Sequence, residues 1–409
     1  MAVNLNAPDP ASLRAIRGVE LGFAQAGIRK ADRRDLMLMR FAPGTVAAGV
    51  FTQNSFAAAP VQVCRRHLAR SNTIRAIVVN AGNANCGTGA RGLADAERTC
   101  ALVAQLVDCA AHEVLPFSTG VILEHLPMDR LKAGLPQCVA TLAAANWADA
   151  ARAIMTTDTI PKGTSRCVRV GTVEVNVTGI AKGVGMLQPN MATMLAYIAT
   201  DAAVAAPLLQ HMVTAVANRS FNRVTVDGDT STNDSFMLIA TGASGATMIS
   251  SATDPGYGAL AAAIAEVAVE LAQAIARDGE GATKFITIDI AGAASEAEAV
   301  SVAKTIAHSP LVKTAFFASD PNLGRLIAAI GNAGVDDLDT SLVNLWLGDV
   351  LVIDRGGRAS SYSEADGARV MKPAEIRIRV DLGRGPASTT VWTCDFSYDY
   401  VKINAEYRT

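Results

Sequence analysis

The chain has 409 residues, of which 50% are hydrophobic, 18% charged and only 5% aromatic, with a formal charge of −2 from 36 basic and 38 acidic residues. So apolar a composition excludes a disordered chain, and so even a charge balance leaves no global field for nucleic acid. No run of 18 consecutive apolar residues occurs, so no membrane-spanning helix is expected, and the greasy, aromatic-poor composition suits closely packed α/β layers.

In chain order, the start MAVNLNAPDPASLRAIRGVELGF lacks a basic stretch followed by an apolar core. No signal peptide is expected, and the protein is expected in the cytoplasm. Leu36 to Met39, Thr45 to Thr52 and Pro60 to Val63 are strand-like, and Arg75 to Asn80 is a short apolar run of buried-strand type. The spacing then predicts a helix over 91–108, with Leu93, Ala96, Cys100, Val103 and Leu106 on one face. A strand follows over 113–118, and Cys167 to Val177 alternates as a hairpin. Met194 and Leu195 run into a further apolar strand. A second strong helix is predicted over 259–277, with Leu260, Ile264, Val267, Leu271 and Ile275 as its buried stripe and Gly279 as its stop. Lys284 to Ile290, Glu375 to Val380 and Thr389 to Phe396 are strand-like. Strands and helices mix without strict βαβ alternation, which favours a layered α/β sandwich over a doubly wound parallel sheet.

Seven cysteines are scattered without CxxC, and five histidines form neither HxxxH nor HExxH. Neither a disulfide framework nor a metal site is expected. Gly87 to Gly92 matches GxGxxG, but the next strand ends Phe117-Ser118-Thr119-Gly120 without the acid a dinucleotide ribose requires. The glycines then serve a tight strand-to-helix turn. Asp227 to Asp234 is rich in oxygen ligands but has Gly second and Leu238 twelfth, which breaks the calcium-loop pattern. A turn tied by side-chain hydrogen bonds, with an accessory role beside a site left open, is the simpler reading.

Residues 179–201 carry the chemistry. Gly183 and Gly185 permit close backbone approach, Pro189-Asn190 marks a turn, and Thr193 opens the strand. On pattern alone, a Thr there is explained by structure more readily than by catalysis. As a nucleophile it has a self-sufficient logic. Cutting the chain between Ala192 and Thr193 frees an α-amine on the nucleophile itself. That amine, with a pKa of about 8, can take the hydroxyl proton. Attack of Thr193 Oγ on the Ala192 carbonyl would make the cut without a second enzyme.

The motif KGVGMLQPNMATML resembles the cleavage site of the ornithine acetyltransferase family, the bifunctional glutamate N-acetyltransferases of arginine biosynthesis. The likeness runs from about Gly22 to Thr409 through VVNAGNANCGTG at 78–89, STGVI at 118–122, MTTDTIPK at 155–162, DGDTSTNDS at 227–235, DGEGATKF at 278–285, DPNLGR at 320–325 and YDYVKINAEYRT at 398–409. The resemblance implies an N-terminal-nucleophile-like layered α/β sandwich with a smaller additional α/β domain. It implies an α chain of 1–192 and a β chain of 193–409 that share one fold, usually as an α2β2 assembly. It further implies acetyl transfer from N2-acetylornithine to glutamate through acetyl-Thr193, with Thr119 and Gly120 as the oxyanion hole. Substrate contacts carry over to the 156–159 threonine cluster (Thr157 and Thr159 foremost), Lys182, Thr193, Glu280, Asn404 and Thr409. No cofactor or metal is implied, and acetyl-CoA is left open as a co-substrate.

Val184, Gln188 and Leu323 depart from the family's usual residues, and this touches substrate preference more than reaction class. Three alternatives stand beside this reading: a self-cleaving aminopeptidase or amidase using the same Thr, a nucleotide-dependent oxidoreductase resting on residues 87–92, and an uncut α/β binding protein.

Overall fold

The structure, a computed structural model, describes residues 2–186 and 194–406. The first part of the chain runs β1 (Val19–Ala24), β2 (Leu36–Phe41), β3 (Val46–Phe51), α1 (Ala59–Arg70), β4 (Ala76–Asn83), α2 (Gly89–Val107), β5 (Val114–Val121), α3 (Met128–Ala140) and α4 (Trp147–Ala153). It continues with β6 (Lys162–Val170), β7 (Val173–Lys182), β8 (Leu195–Thr200), α5 (Ala206–Arg219), β9 (Ser235–Ala240) and α6 (Tyr257–Arg277). These strands form a four-stranded sheet, β1-β2-β4-β5, and a five-stranded sheet, β3-β9-β8-β7-β6.

The two sheets pack face to face. Met37, Met39, Ile77, Val79 and Phe117 of the first share one core with Ile180, Leu195, Tyr197, Met237 and Ile239 of the second. The outer face of the first sheet, through Leu36, Leu38 and Val78, packs on α1, α2 and α3. The outer face of the second packs on α5 and α6 through Val175, Val177, Ala196 and Ile198. The order is helices, sheet, sheet, helices. A strand covered on both faces needs no polar alternation, which is why Leu36 to Met39 reads as an unbroken apolar run. Each such side chain contributes about 1.5–3 kcal/mol when fully buried.

The remainder is the smaller unit: β10 (Phe285–Ala293), α7 (Glu296–His308), α8 (Pro310–Phe317), α9 (Leu323–Gly331), β11 (Asn344–Leu347), β12 (Val350–Asp354), β13 (Gly357–Arg358), α10 (Glu364–Met371), β14 (Glu375–Asp381), β15 (Ala387–Cys394) and α11 (Tyr398–Ala405). Its sheet order is β13-β12-β11-β14-β10-β15, with its own core drawn from the sheet and from α7 to α10. β14 alternates strictly, burying Ile376, Ile378 and Val380 and exposing Glu375, Arg377 and Arg379.

The layered sandwich with a smaller α/β unit is therefore the observed fold. One element differs from expectation. Pro60 to Val63 is not a strand but the first turn of α1, with Pro60 in that turn. Proline's fixed φ suits a helix start, and the buried set Pro60, Val61, Val63 and Cys64 continues with helical rather than two-residue spacing. The glycines of 87–92 make the expected turn, with Gly87 and Gly89 at φ 68° and 61°. Among the described residues, one helix, α6, is long and apolar enough to cross a membrane. It lies instead across the second sheet, with Leu260, Ile264, Val267, Leu271 and Ile275 buried.

Candidate active site

Strand register places the site. Lys182, the last residue of β7, pairs with Leu195, the first of β8, and Leu195 pairs with Ser235, the first of β9. In the other sheet, Gly120 near the end of β5 pairs with Gly82 near the end of β4. These ends enclose a cavity of about 270 Å³, whose lining includes Thr119, Gly120, Thr156, Thr157, Lys182, Glu280 and Asn404. Met194, which follows Thr193 in sequence, and Leu195 also line it. Thr193, Ala192, Gln188 and the terminal Thr409 lie outside the described residues.

Gly120 has φ 134°, and a Cβ there would come within 2.2 Å of the Gly82 carbonyl carbon. Only glycine allows the two strand ends to approach this closely. Lys182 is buried and donates to Thr156 Oγ1 at 2.6 Å and Thr119 Oγ1 at 3.3 Å. Because Thr119 Oγ1 accepts from Lys182, its own proton is left to be donated elsewhere. Burial pushes the proton affinity of Lys182 down, and nearby Asp158 acts against that shift.

The 156–160 loop is held by a buried ionic cluster. Lys162 donates to Asp158 Oδ1 at 2.7 Å and Asp278 Oδ2 at 2.6 Å, with all three side chains at most 1% exposed. Asp158 also accepts from the amides of Thr156 at 3.0 Å and Gly183 at 2.8 Å. Burial opposes its charge, but Lys162 and Lys182 outweigh that and hold Asp158 well below the usual carboxylate range. Burial likewise opposes the charge on Lys162, yet the two aspartates leave its pKa raised. One cluster thus ties together the threonine loop, the Lys182-Gly183 turn and the segment leading to Glu280.

Glu280 accepts from Thr157 Oγ1 and from Asn404 Nδ2, each at 2.9 Å. A Cβ on Gly185 would come within 2.3 Å of the Glu280 carboxylate, so that glycine makes room for it. The four threonine-cluster positions separate cleanly. Thr156 and Thr157 line the cavity, Asp158 sits in the ionic cluster, and Thr159 is turned away, its amide and hydroxyl both donating to Asp278.

The Asp227 to Asp234 segment flanks the site. Asn233 donates to the carbonyls of Ala84 at 2.6 Å and Ser118 at 2.8 Å, joining the two sheets. Asp227 accepts from the Met186 amide at 2.6 Å. Leu323 starts α9 in the smaller unit, whereas Val184 lines the cavity. Among the described residues, no group of three or more His, Cys, Asp or Glu side chains could hold a metal ion. Sequence reasoning missed the Lys162 cluster and Asn233. Their blocks carried the family likeness, but no local pattern indicates that Lys162 and Asp278 meet across 116 residues.

Two sheets stacked between helices, with a charged cavity at their strand ends, make this an N-terminal-nucleophile-like layered α/β sandwich. The ArgJ family model matches residues 20–409, and the chain belongs to the ArgJ family, the acetyltransferases of arginine biosynthesis. Among solved structures, it is similar to the arginine biosynthesis bifunctional protein argJ from Bacillus halodurans, at 38% identity over 51% of this chain and 97% of that one, TM-score 0.49. It is also similar to the ornithine acetyltransferase of Mycobacterium tuberculosis complexed with ornithine, at 37% identity over 43% of this chain and 93% of that one, TM-score 0.39.

Proposed function

We propose that the protein cuts itself between Ala192 and Thr193 and then moves an acetyl group from N2-acetyl-L-ornithine to L-glutamate in two steps. The observation that carries this reading is the convergence of Lys182, Thr119, Gly120, Glu280 and Asn404 on one cavity that Met194 also lines. The free amine of Thr193 takes the hydroxyl proton as Oγ attacks the acetyl carbonyl. The oxyanion is met by Thr119 and Gly120, donors of a kind that contribute roughly 3–4 kcal/mol each. The carbon–nitrogen bond breaks, the proton passes to the departing amine, and ornithine leaves acetyl-Thr193. Glutamate then attacks the ester with its α-amine, its proton returns to Thr193 Oγ, and N-acetylglutamate departs.

Lys182 serves as the partner of the α-carboxylate common to both substrates, and Glu280 as the partner of the ornithine ammonium. Thr157 and Asn404 orient Glu280, and Thr409 supplies a further substrate contact. Thr159 acts through Asp278 rather than on the substrate. No step calls for a cofactor. The two cleaved chains work as an α2β2 assembly in the cytoplasm, and acetyl-CoA is a second donor to be assayed with glutamate alone.

The test is purified protein supplied with N-acetylornithine, with and without glutamate. The expected result is equimolar ornithine and N-acetylglutamate, and one acetyl mass on fragment 193–409 when glutamate is withheld. Release of acetate at the same rate with and without glutamate would make it an amidase instead.

A further inference from the structure

A second cavity, of about 280 Å³, lies behind the first. The two share Gly120, Val121, Thr156 and Thr157 as a common wall. Its other side is the 25–35 segment between β1 and β2, which contributes Arg29, Lys30, Arg33 and Asp35, and the end of α11, which contributes Ile403 and Glu406.

The chambers differ in charge. Lys182 faces Glu280 and Asp234 in the first, one cation against two carboxylates. In the second, three cations face Asp35 and Glu406. Asp35 is turned into its own loop, where its carboxylate accepts from the amides of Ala26 at 2.7 Å and Ile28 at 2.5 Å. Arg29 pairs with Glu124 at 2.9 Å, and its Cβ would lie 3.0 Å from a Cβ on Gly82. Arg33 is half-buried and donates through Nη1 to the Thr156 carbonyl at 2.6 Å. Thr156 is therefore shared by two cations. Its hydroxyl accepts from Lys182 on one side of the wall, and its carbonyl accepts from Arg33 on the other.

The two substrates proposed above carry opposite side-chain charges. An ornithine ammonium is attracted to Glu280, whereas a glutamate carboxylate placed there is repelled by it. Resting on that reading of the reaction, we propose that the second chamber is the acceptor's side-chain subsite. The α-carboxylate of either substrate stays at Lys182, the donor's ammonium turns to Glu280, and the acceptor's γ-carboxylate turns past Gly120 and Thr157 to Arg33. A guanidinium presents a planar fork that matches a carboxylate, and the bond to the Thr156 carbonyl uses one of its five N–H donors.

The experiment compares glutamate with glutamine as acceptors, the two differing in charge at nearly equal size. In the unsubstituted protein, kcat/KM is expected to favour glutamate. In Arg33→Met that preference falls at least about tenfold, the loss expected for one charge-assisted hydrogen bond. An unchanged preference would overturn the subsite. A second measurement needs no variant. Arg33 in the intact protein is modified with an arginine-directed dicarbonyl and followed by peptide mass spectrometry. N-acetylglutamate is expected to protect Arg33 and N-acetylornithine to leave it reactive, and equal protection by both would overturn the subsite. If the unsubstituted protein moves no acetyl group from N-acetylornithine to glutamate, the reaction itself has been misread. If it does, and neither measurement discriminates, only the second chamber has been misassigned.

Discussion

Asn404 donates to Glu280 at 2.9 Å across 124 residues of chain, and so joins the last helix to the cavity at the strand ends. That helix, α11, buries none of its residues. Polar and ring contacts hold it: Ser397 to the Gly281 carbonyl at 2.6 Å, Tyr400 to Asp227 at 3.4 Å, and Phe396 stacked on Tyr400 at 4.5 Å. Asn404→Ala removes a charge-assisted hydrogen bond at a solvent-facing site, where about 1 kcal/mol is expected. It should lower kcat/KM for N-acetylornithine by roughly fivefold with little change in Tm, and steady-state kinetics beside thermal unfolding check this.

Thr193→Ala should leave one uncut chain with no acetyl transfer. The unsubstituted protein should separate into fragments 1–192 and 193–409 under denaturing conditions. Thr193→Ser retains a hydroxyl and should keep part of both activities. Intact mass read beside the transfer assay decides it, and transfer surviving in the Ala variant would assign the nucleophile elsewhere.

In the proposed reaction, Lys182 holds a substrate carboxylate only while protonated. Burial lowers its pKa, so KM for both substrates should rise with pH before the ordinary lysine range of about 10.4 is reached. Lys182→Met should raise KM by about 10- to 100-fold, the range for a charged hydrogen bond, and remove this pH dependence. A pH series of initial rates tests both statements.

Lys162→Met leaves Asp158 and Asp278 buried without the cation between them, and should destabilise the protein by about 3–5 kcal/mol. The pH dependence of the unsubstituted protein follows from the same cluster. Asp158 has a depressed pKa in the folded state, so its stabilisation is present above the unfolded value of about 3.9 and lost as pH falls below that value towards the folded one. Lys162 has a raised pKa, so its stabilisation is complete below about 10.4 and lost only above it. Urea midpoints from pH 3 to pH 11 should show a plateau between these limits.

Gly120→Ala places a methyl 2.2 Å from the Gly82 carbonyl carbon, at a φ of 134° that side chains rarely adopt. The strand ends must part. A stability loss of about 1–3 kcal/mol is expected from overpacking. Activity should fall on the order of 100-fold, as for a catalytic group displaced by about 1 Å. Urea denaturation and transfer rates measured on the same preparation separate the two effects.

Most strands and the two longest helices could be read from periodicity, because that signal is local. The run Leu36 to Met39 was readable as a buried strand, but not which of its residues faced the second sheet and which faced the helices, since both faces are apolar. Pro60 to Val63 misled because four residues cannot distinguish a two-residue from a helical period. Within the threonine cluster, Thr157 and Thr159 were equivalent by sequence. The structure separates them because Asp278 holds the Thr159 hydroxyl while Glu280 accepts from Thr157.

By itself, then, the sequence determined the α/β class, the family likeness and the Ala192-Thr193 bond as the candidate cleavage point, since each lies in composition or a contiguous motif. The tertiary structure alone decided how the cavity is built and what stands behind it. Lys182 meets Thr156 across 26 residues, Thr157 meets Glu280 across 123, and Arg33 meets Thr156 across the same number. Such contacts arise from sheet register and layer packing, which hold distant segments at hydrogen-bond distance without leaving a repeating mark in the residues themselves.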